Sequence, residues 1–247
     1  NRQSPPLSLK PLVAAIAAAA SISTGTALAD AKWDRAPFRW ISTFDVIEGN
    51  GSGVAEIIDV AQHQPLLVYT DADNNEIGFV NIQRPEHPAA DGTVALDGEP
   101  TSLAIREPWV LVALNTSESF TNPSGKLAVV NLQTREVVAE YDLGGQPDSI
   151  ALAPDRKRAA IVIENERDED LNDGLLPQMP SGGLLILDLR GSVGSWTLTP
   201  VDLSAVAVDA FEGSDLEPEF VDINKDNEAV VTFQENNHIA VVDMVTG

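Results

Sequence analysis

The fold is decided by the stretch GEPTSLA at residues 98–104, which returns at residues 145–151 as GQPDSIA. A third copy begins with Glu217-Pro218-Glu219, and residues 53–58 form a degenerate first copy without the proline. Each copy leads into an apolar strand and then a strand ending like Val129-Val130-Asn131-Leu132. Repeats of about 40 to 50 residues with three or four strands each are typical of β-propeller blades.

The apolar residues after position 29 alternate with a period of two, which indicates strands and no helix. Predicted strands run from Ala55–Val60 to His238–Met244. The sequence therefore predicts an all-β fold, a partial β-propeller over residues 30–247 with about four N-terminal blades. The fourth unit stops before its outer strand, so we expect a chain truncated at its C-terminus. A β-sandwich is the alternative, but it does not predict a motif that recurs at this spacing.

The first 29 residues have the pattern of a secretory signal peptide. Arg2 and Lys10 form a basic region, residues 12–20 are apolar, and Ala27-Leu28-Ala29 fits a cleavage site. The apolar run is too short to span a bilayer, and no later run reaches that length. An Ala-rich buried helix is the alternative. We expect export to the periplasm, the cell surface or the medium, with no transmembrane segment in the mature part.

Charge limits the partners of the chain. It has 15 Lys and Arg against 38 Asp and Glu, a net charge of -23. Two of the basic residues lie in residues 1–29, so the mature part has 13 against 38, or -25. Such a surface repels nucleic acid, and any phosphate chemistry needs a bound cation. Solvation in a salty medium explains the same charge.

A long insertion, Glu164–Gly182, contains the densest group of oxygen ligands in the chain. Calcium prefers such carboxylate and amide oxygens, although the spacing is not that of an EF-hand loop. A solvated acidic loop is the alternative. The predicted calcium ligands are Glu166, Asp168, Asp170, Asn172 and Asp173.

Further carboxylates recur where the repeats begin, a position that in propellers often approaches the central channel. They form a second candidate group, and the alternative is that two of them simply precede a structural proline. These residues are Glu56, Glu99, Glu217 and Glu219. The acidic segment 71–76 is interpreted instead as a hairpin turn, and segment 234–238 as its structural equivalent.

Two parts of the chain resemble the exported bacterial propellers of the choice-of-anchor I family. One runs from PDSIALAPD at residues 147–155 through the acidic stretch 164–174. The other runs from EPEF at residues 217–220 through QENNHIAVVD at residues 234–243. The resemblance implies an extracytoplasmic seven-bladed propeller that binds calcium. Members are labelled alkaline phosphatase-like or phytase-like with esterase activity, but no catalytic motif maps onto this chain.

Two functions follow as hypotheses. The first is a calcium-assisted phosphoester hydrolase that acts on a small-molecule phosphoester, in which the cation neutralises the substrate phosphate and activates water. The second is a non-catalytic propeller scaffold that binds a ligand or a surface partner. Because propellers have many unrelated functions, the fold alone does not choose between them.

Overall fold

The computed structural model describes residues 38–46, 53–168 and 170–247. The predicted signal peptide, residues 1–29, lies outside the described residues. The described residues from position 41 onward form one compact unit. Its strands make four antiparallel sheets, which we call blades 1 to 4.

Blades 1 to 3 have four strands each, and each blade follows the chain order from its first strand to its last. Blade 1 contains β1 (Ala55–Val60), β2 (Leu66–Asp71), β3 (Glu76–Asn81) and β4 (Ala89–Ala95). Blade 2 contains β5 (Glu99–Arg106), β6 (Trp109–Asn115), β7 (Gly125–Asn131) and β8 (Val137–Asp142). Blade 3 contains β9 (Pro147–Leu152), β10 (Arg158–Ile163), β11 (Gly183–Asp188) and β12 (Thr197–Pro200).

Blade 4 contains β13 (Pro218–Ile223), β14 (Glu228–Phe233) and β15 (His238–Asp243). A short helix, α1 (Ser204–Asp209), precedes it, and a single 3-10 turn (Leu171–Gly174) lies in the insertion. The all-β prediction and the four repeated units are therefore confirmed. None of the helices in the described ranges has the length and apolar composition that a membrane span requires.

Hydrophobic cores lie between consecutive blades. Val68, Ile77 and Phe79 of blade 1 pack against blade 2, and Leu127 and Ile161 belong to the core between blades 2 and 3. A third core joins blade 3 to blade 4. Blades 2 and 3 are each covered on both faces. Their second strands, β6 and β10, are therefore buried almost throughout, with no alternation of buried and exposed side chains.

Hydrogen bonds also connect the first strands of successive blades. The amide of Ile150 donates to Ser102 Oγ at 3.2 Å, and the amide of Val221 donates to Ser149 Oγ at 3.4 Å. Both serines belong to the repeated sequence motif. The motif therefore stabilises the packing of one blade on the next, as a propeller requires.

The prolines of the motif lie at the beginning of the first strands: Pro100 is the second residue of β5 and Pro218 the first of β13, and each is buried beside a shift in strand register. Such irregular positions tolerate proline because the missing N–H is not needed there. Strand β4 was not predicted, because it is mostly exposed and has no alternation of apolar residues. The helix α1 was not predicted either, since six residues are too few to show a helical period.

Candidate functional site

The first strands of all four blades line one cavity of about 690 Å³. Its wall is mixed: Glu56 and Asp148 contribute carboxylates, while Ile58 and Phe220 contribute exposed apolar side chains. This cavity lies on the side of the blades that faces the channel in a propeller. It brings the predicted channel residue Glu56 close enough to Asp148 for their charges to interact.

A second cavity, of about 470 Å³, is lined almost entirely by acidic side chains. We call it the carboxylate pocket. Phe120 from the loop after β6 contributes an aromatic ring, and Arg167 is the one basic residue among the described residues that line the pocket. Its seven carboxylates belong to Glu164, Glu166, Asp168, Asp170, Glu217, Glu219 and Glu235.

Three separate segments supply these carboxylates. The insertion between β10 and β11 contributes four of them, the beginning of β13 two, and the turn between β14 and β15 one. Asn165 holds the base of the insertion: its Oδ1 accepts from the amide of Gln146 at 2.9 Å, and its Nδ2 donates to the carbonyl of Ser181 at 3.1 Å. Gln146 Nε2 also donates to Glu166 Oε2 at 3.3 Å. The insertion is therefore tied to blade 3 at both of its ends.

Arg167 neutralises part of the pocket. Its Nε lies 3.0 Å from Asp215 Oδ2, and its Nη1 lies 2.7 Å from Glu217 Oε2. Asp215 and Glu217 are buried, with side-chain exposures of 1% and 4%, and the side chain of Arg167 is 10% exposed. One guanidinium thus faces two buried carboxylates, and the carboxylates remain in excess.

Burial and mutual repulsion favour the protonated form of several carboxyl groups here. Burial, with added repulsion from Asp148 and Glu166, raises the pKa of Glu164 to about 8. Burial raises the pKa of Glu217 to about 7, although Arg167 opposes the shift. Burial and the neighbouring Glu219 raise the pKa of Asp148 to about 6. At neutral pH the pocket therefore holds protons that ordinary carboxyl groups have lost.

Comparison with known proteins gives one decisive match. The family model of the choice-of-anchor I domain matches residues 56–247. This chain belongs to the choice-of-anchor I family. Membership agrees with the resemblance seen in the sequence and is consistent with a secreted or surface-attached protein. No curated protein matches this choice-of-anchor I chain.

A solved structure supports the fold of this family member. The chain is similar to a hydrazine synthase chain of Kuenenia stuttgartiensis, with a TM-score of 0.57 and 11% sequence identity. The match covers 76% of this chain and 52% of the other, so this chain spans about half the length of that protein. At this identity the likeness shows a β-propeller-like fold alone, and the predicted seven blades stay a prediction.

The structure brings together residues that the sequence placed in two separate groups. Glu166, Asp168 and Asp170 of the insertion share the pocket with Glu217 and Glu219 of β13. The remaining predicted ligands lie elsewhere, because Asp173 is exposed in the 3-10 turn and the side chain of Asn172 is outside the described residues. Glu99 is exposed at the start of β5.

Sequence reasoning missed Asp148, Glu164, Arg167 and Glu235. A signal for Asp148 was present, since it directly follows the repeated proline just as Glu219 does. Glu164 and Glu235 carried no such signal, because only the packing of blade 4 on blade 3 brings them together.

Proposed function

We propose that this extracytoplasmic β-propeller binds a divalent cation in the carboxylate pocket, and that the cation is calcium. One observation carries the proposal: seven carboxylates from three segments share a cavity with a single guanidinium. Burial and repulsion between carboxylates raise the pKa values of Glu164 and Glu217, and a bound cation removes that repulsion.

The donor set fits a hard cation. All of the acidic ligands offer carboxylate oxygens, which calcium prefers over nitrogen or sulfur. In the described ranges no three His, Asp or Glu side chains already converge tightly enough to enclose an ion. Glu166 and Asp170 are exposed, so their side chains have room to turn towards a cation beside Asp168.

The finer proposal is that the pocket uses the cation to hydrolyse phosphoesters, as the hydrolase hypothesis requires. Bound calcium supplies positive charge that offsets the repulsion between the acidic surface and a phosphate group. The carboxyl groups of Glu164 and Glu217 have pKa values of about 8 and about 7, close to neutrality. These values are those of the metal-free pocket, and a bound cation would lower them, so these two groups are the ones from which calcium binding releases protons within the pocket.

Calcium binding is tested by isothermal titration of the chelator-treated full chain. We expect saturable binding to the wild type and loss of at least tenfold in affinity in the double variant Asp168→Asn/Asp170→Asn. The double variant Asp73→Asn/Glu86→Gln removes the same charge from exposed positions outside the pocket, and should bind like the wild type. An equal loss of calcium affinity in both double variants would show that calcium binding depends only on the total charge of the chain.

Hydrolysis is tested on nitrophenyl phosphate and phytate, with calcium and with chelator. Turnover that needs calcium and falls in Glu164→Gln supports the hydrolase. Calcium binding without turnover above a blank supports the alternative, a propeller scaffold whose calcium site binds a ligand or a surface partner.

A further inference from the structure

Arg167 lies where the acidic insertion meets the segment that leads into blade 4, and it contacts both. We propose that Arg167 is the positioning residue of the carboxylate pocket: it fixes residues 164–182 to residues 204–217, so that carboxylates from both segments face one cavity. Only the expected effect of Arg167 on calcium binding rests on the proposed function. The positioning itself is a property of the fold.

Asp215 is the first anchor. Arg167 Nε donates to Asp215 Oδ2 at 3.0 Å, and Arg167 Nη2 donates to the backbone carbonyl of Asp215 at 2.7 Å. A guanidinium presents its donors in a rigid fork, which a lysine ammonium cannot copy. The contact is therefore directional as well as charged.

Glu217 is the second anchor, and it belongs to the pocket itself. The backbone amide of Arg167 donates to Glu217 Oε1 at 3.0 Å, while the side-chain Nη1 lies 2.7 Å from Oε2. One oxygen of this pocket carboxylate is thus hydrogen-bonded to the backbone of Arg167, while the buried Oε2 has no hydrogen-bond partner and is paired with the guanidinium by charge alone. Arg167 sets the orientation of Glu217 directly.

Gln178 extends the contact to Asp168. Its backbone amide donates to Asp215 Oδ2 at 2.7 Å, and its side-chain Nε2 donates to the carbonyl of Asp168 at 2.9 Å. The amide of Asp168 in turn donates to Gln178 Oε1 at 3.0 Å. Asp215 therefore joins Arg167 and Gln178, which brings the backbone of Asp168 to a fixed place.

A different role for Arg167 predicts the opposite change in calcium affinity, so the direction of that change tests the inference. If the guanidinium served only as a resident positive charge, it would repel calcium, and its removal would tighten calcium binding. If it positions the carboxylates, its removal weakens calcium binding even though a repelling charge is lost. The two roles predict changes in opposite directions.

The experiment compares four variants of the full chain by calcium titration and by hydrogen exchange read from peptides. Arg167→Ala should weaken calcium binding about 10- to 100-fold, the usual loss when a residue that supports metal ligands is removed. Arg167→Lys keeps the charge but loses the fork, and should weaken binding by less. Gln178→Ala removes the contact to Asp168 without leaving a buried charge, and should also weaken binding. Arg190→Ala is the control: it removes a positive charge from an exposed pair with Asp188 outside the pocket, and should not weaken binding.

Hydrogen exchange reports on the positioning without calcium. Arg167→Ala should accelerate exchange in peptides from residues 164–182 and 204–217, while peptides from blade 2 keep the wild-type rate. If blade 2 also accelerates, the variant has unfolded, and Arg167→Lys and Gln178→Ala then decide the question.

The inference is overturned if calcium binds more tightly to Arg167→Ala, or if exchange in the insertion stays unchanged in all three pocket variants. Failure of the proposed function looks different: the wild type itself would bind no calcium, while Arg167→Ala would still accelerate exchange in the insertion.

Discussion

Three side chains near the ends of second strands make the same contact with the beginning of their own blade. Asp71 Oδ1 accepts from the amide of Val54 at 3.2 Å, and Asn165 Oδ1 accepts from the amide of Gln146 at 2.9 Å. Asn236 Oδ1 accepts from the amide of Glu217 at 2.8 Å. These acidic and amide residues therefore have a structural role, as the turn interpretation of segments 71–76 and 234–238 predicted.

Asn236 should be the most sensitive of the three to substitution. It is 1% exposed, and its Nδ2 donates to the carbonyls of Phe211 and Asp215, each at 2.8 Å. We expect Asn236→Ala to lower the free energy of unfolding by about 1 to 3 kcal/mol, because buried partners lose their hydrogen bonds. Urea unfolding measures the loss. Asn122→Ala, whose side chain bonds an exposed glutamate, is the control, and an equal effect of both substitutions contradicts the prediction.

The residue scale also shows the limit of sequence reasoning about the pocket. Repetition pointed to Glu217 and Glu219, and the density of acidic residues pointed to Asp168. Neither pattern states that these residues meet, because they lie about 50 positions apart and the contact depends on how blade 4 packs. The sequence did not single out Arg167 either, because one arginine next to five acidic residues has no distinguishing pattern.

At the scale of elements, strands were predictable where the environment imposed a period. Strand β1 matches its predicted bounds at Ala55–Val60, and β15 (His238–Asp243) ends one residue before its predicted end; burial alternates along both strands. Strand β4 follows no period, because hydrogen bonds to β3 and not apolar burial hold it in place. The insertion Glu164–Gly182 was predictable from its length, but α1 was not.

Blade 4 differs from blades 2 and 3 in having one uncovered face. Phe220, Ile239 and Val241 are 59%, 63% and 67% exposed, and they occupy the face opposite to the core shared with blade 3. The corresponding strands of blade 2, β5 and β7, are buried on both faces along most of their length. This difference in burial should appear as a difference in local stability.

We therefore expect backbone amides of β15 to exchange faster than those of β7. In the described sheets β15 pairs with β14 alone, whereas β7 lies between β6 and β8. Native-state hydrogen exchange followed by mass spectrometry measures both strands in one sample. Equal protection in β15 and β7 would contradict the prediction.

At the scale of the whole molecule, the period-two pattern and the repeated motif were enough to predict stacked antiparallel blades. The serines of the motif bond blade 2 to blade 3 and blade 3 to blade 4, whereas Asp59 bonds blade 1 to blade 2. Net charge was less informative about the site, since only seven of the 38 acidic residues line the carboxylate pocket. The number of blades depends on how the faces close into a ring, which a local repeat does not specify.

Two carboxyl groups of the carboxylate pocket and Asp148 of the first cavity should make the stability of the metal-free chain fall as pH rises. Folding raises the pKa of Asp148 from 3.8 to about 6, of Glu217 from 4.5 to about 7 and of Glu164 from 4.5 to about 8. Between about pH 4 and 8 the unfolded chain has therefore released protons that the folded chain still holds. These groups therefore stabilise the folded state fully at pH values below their pKa in the unfolded chain. This stabilisation is lost as pH rises through their pKa in the folded chain.

Urea unfolding at pH 5, 6, 7 and 8, in chelator and at fixed ionic strength, measures this fall in the free energy of unfolding. Glu164→Gln should reduce the fall in the free energy of unfolding most near pH 8, because a glutamine side chain is neutral at every pH. Asp188, whose pKa the Arg190 guanidinium lowers to about 2, loses its contribution only in more acidic solution and does not interfere. A free energy of unfolding that stays level or increases from pH 5 to 8 would show that these carboxyl groups are not held in a protonated pocket.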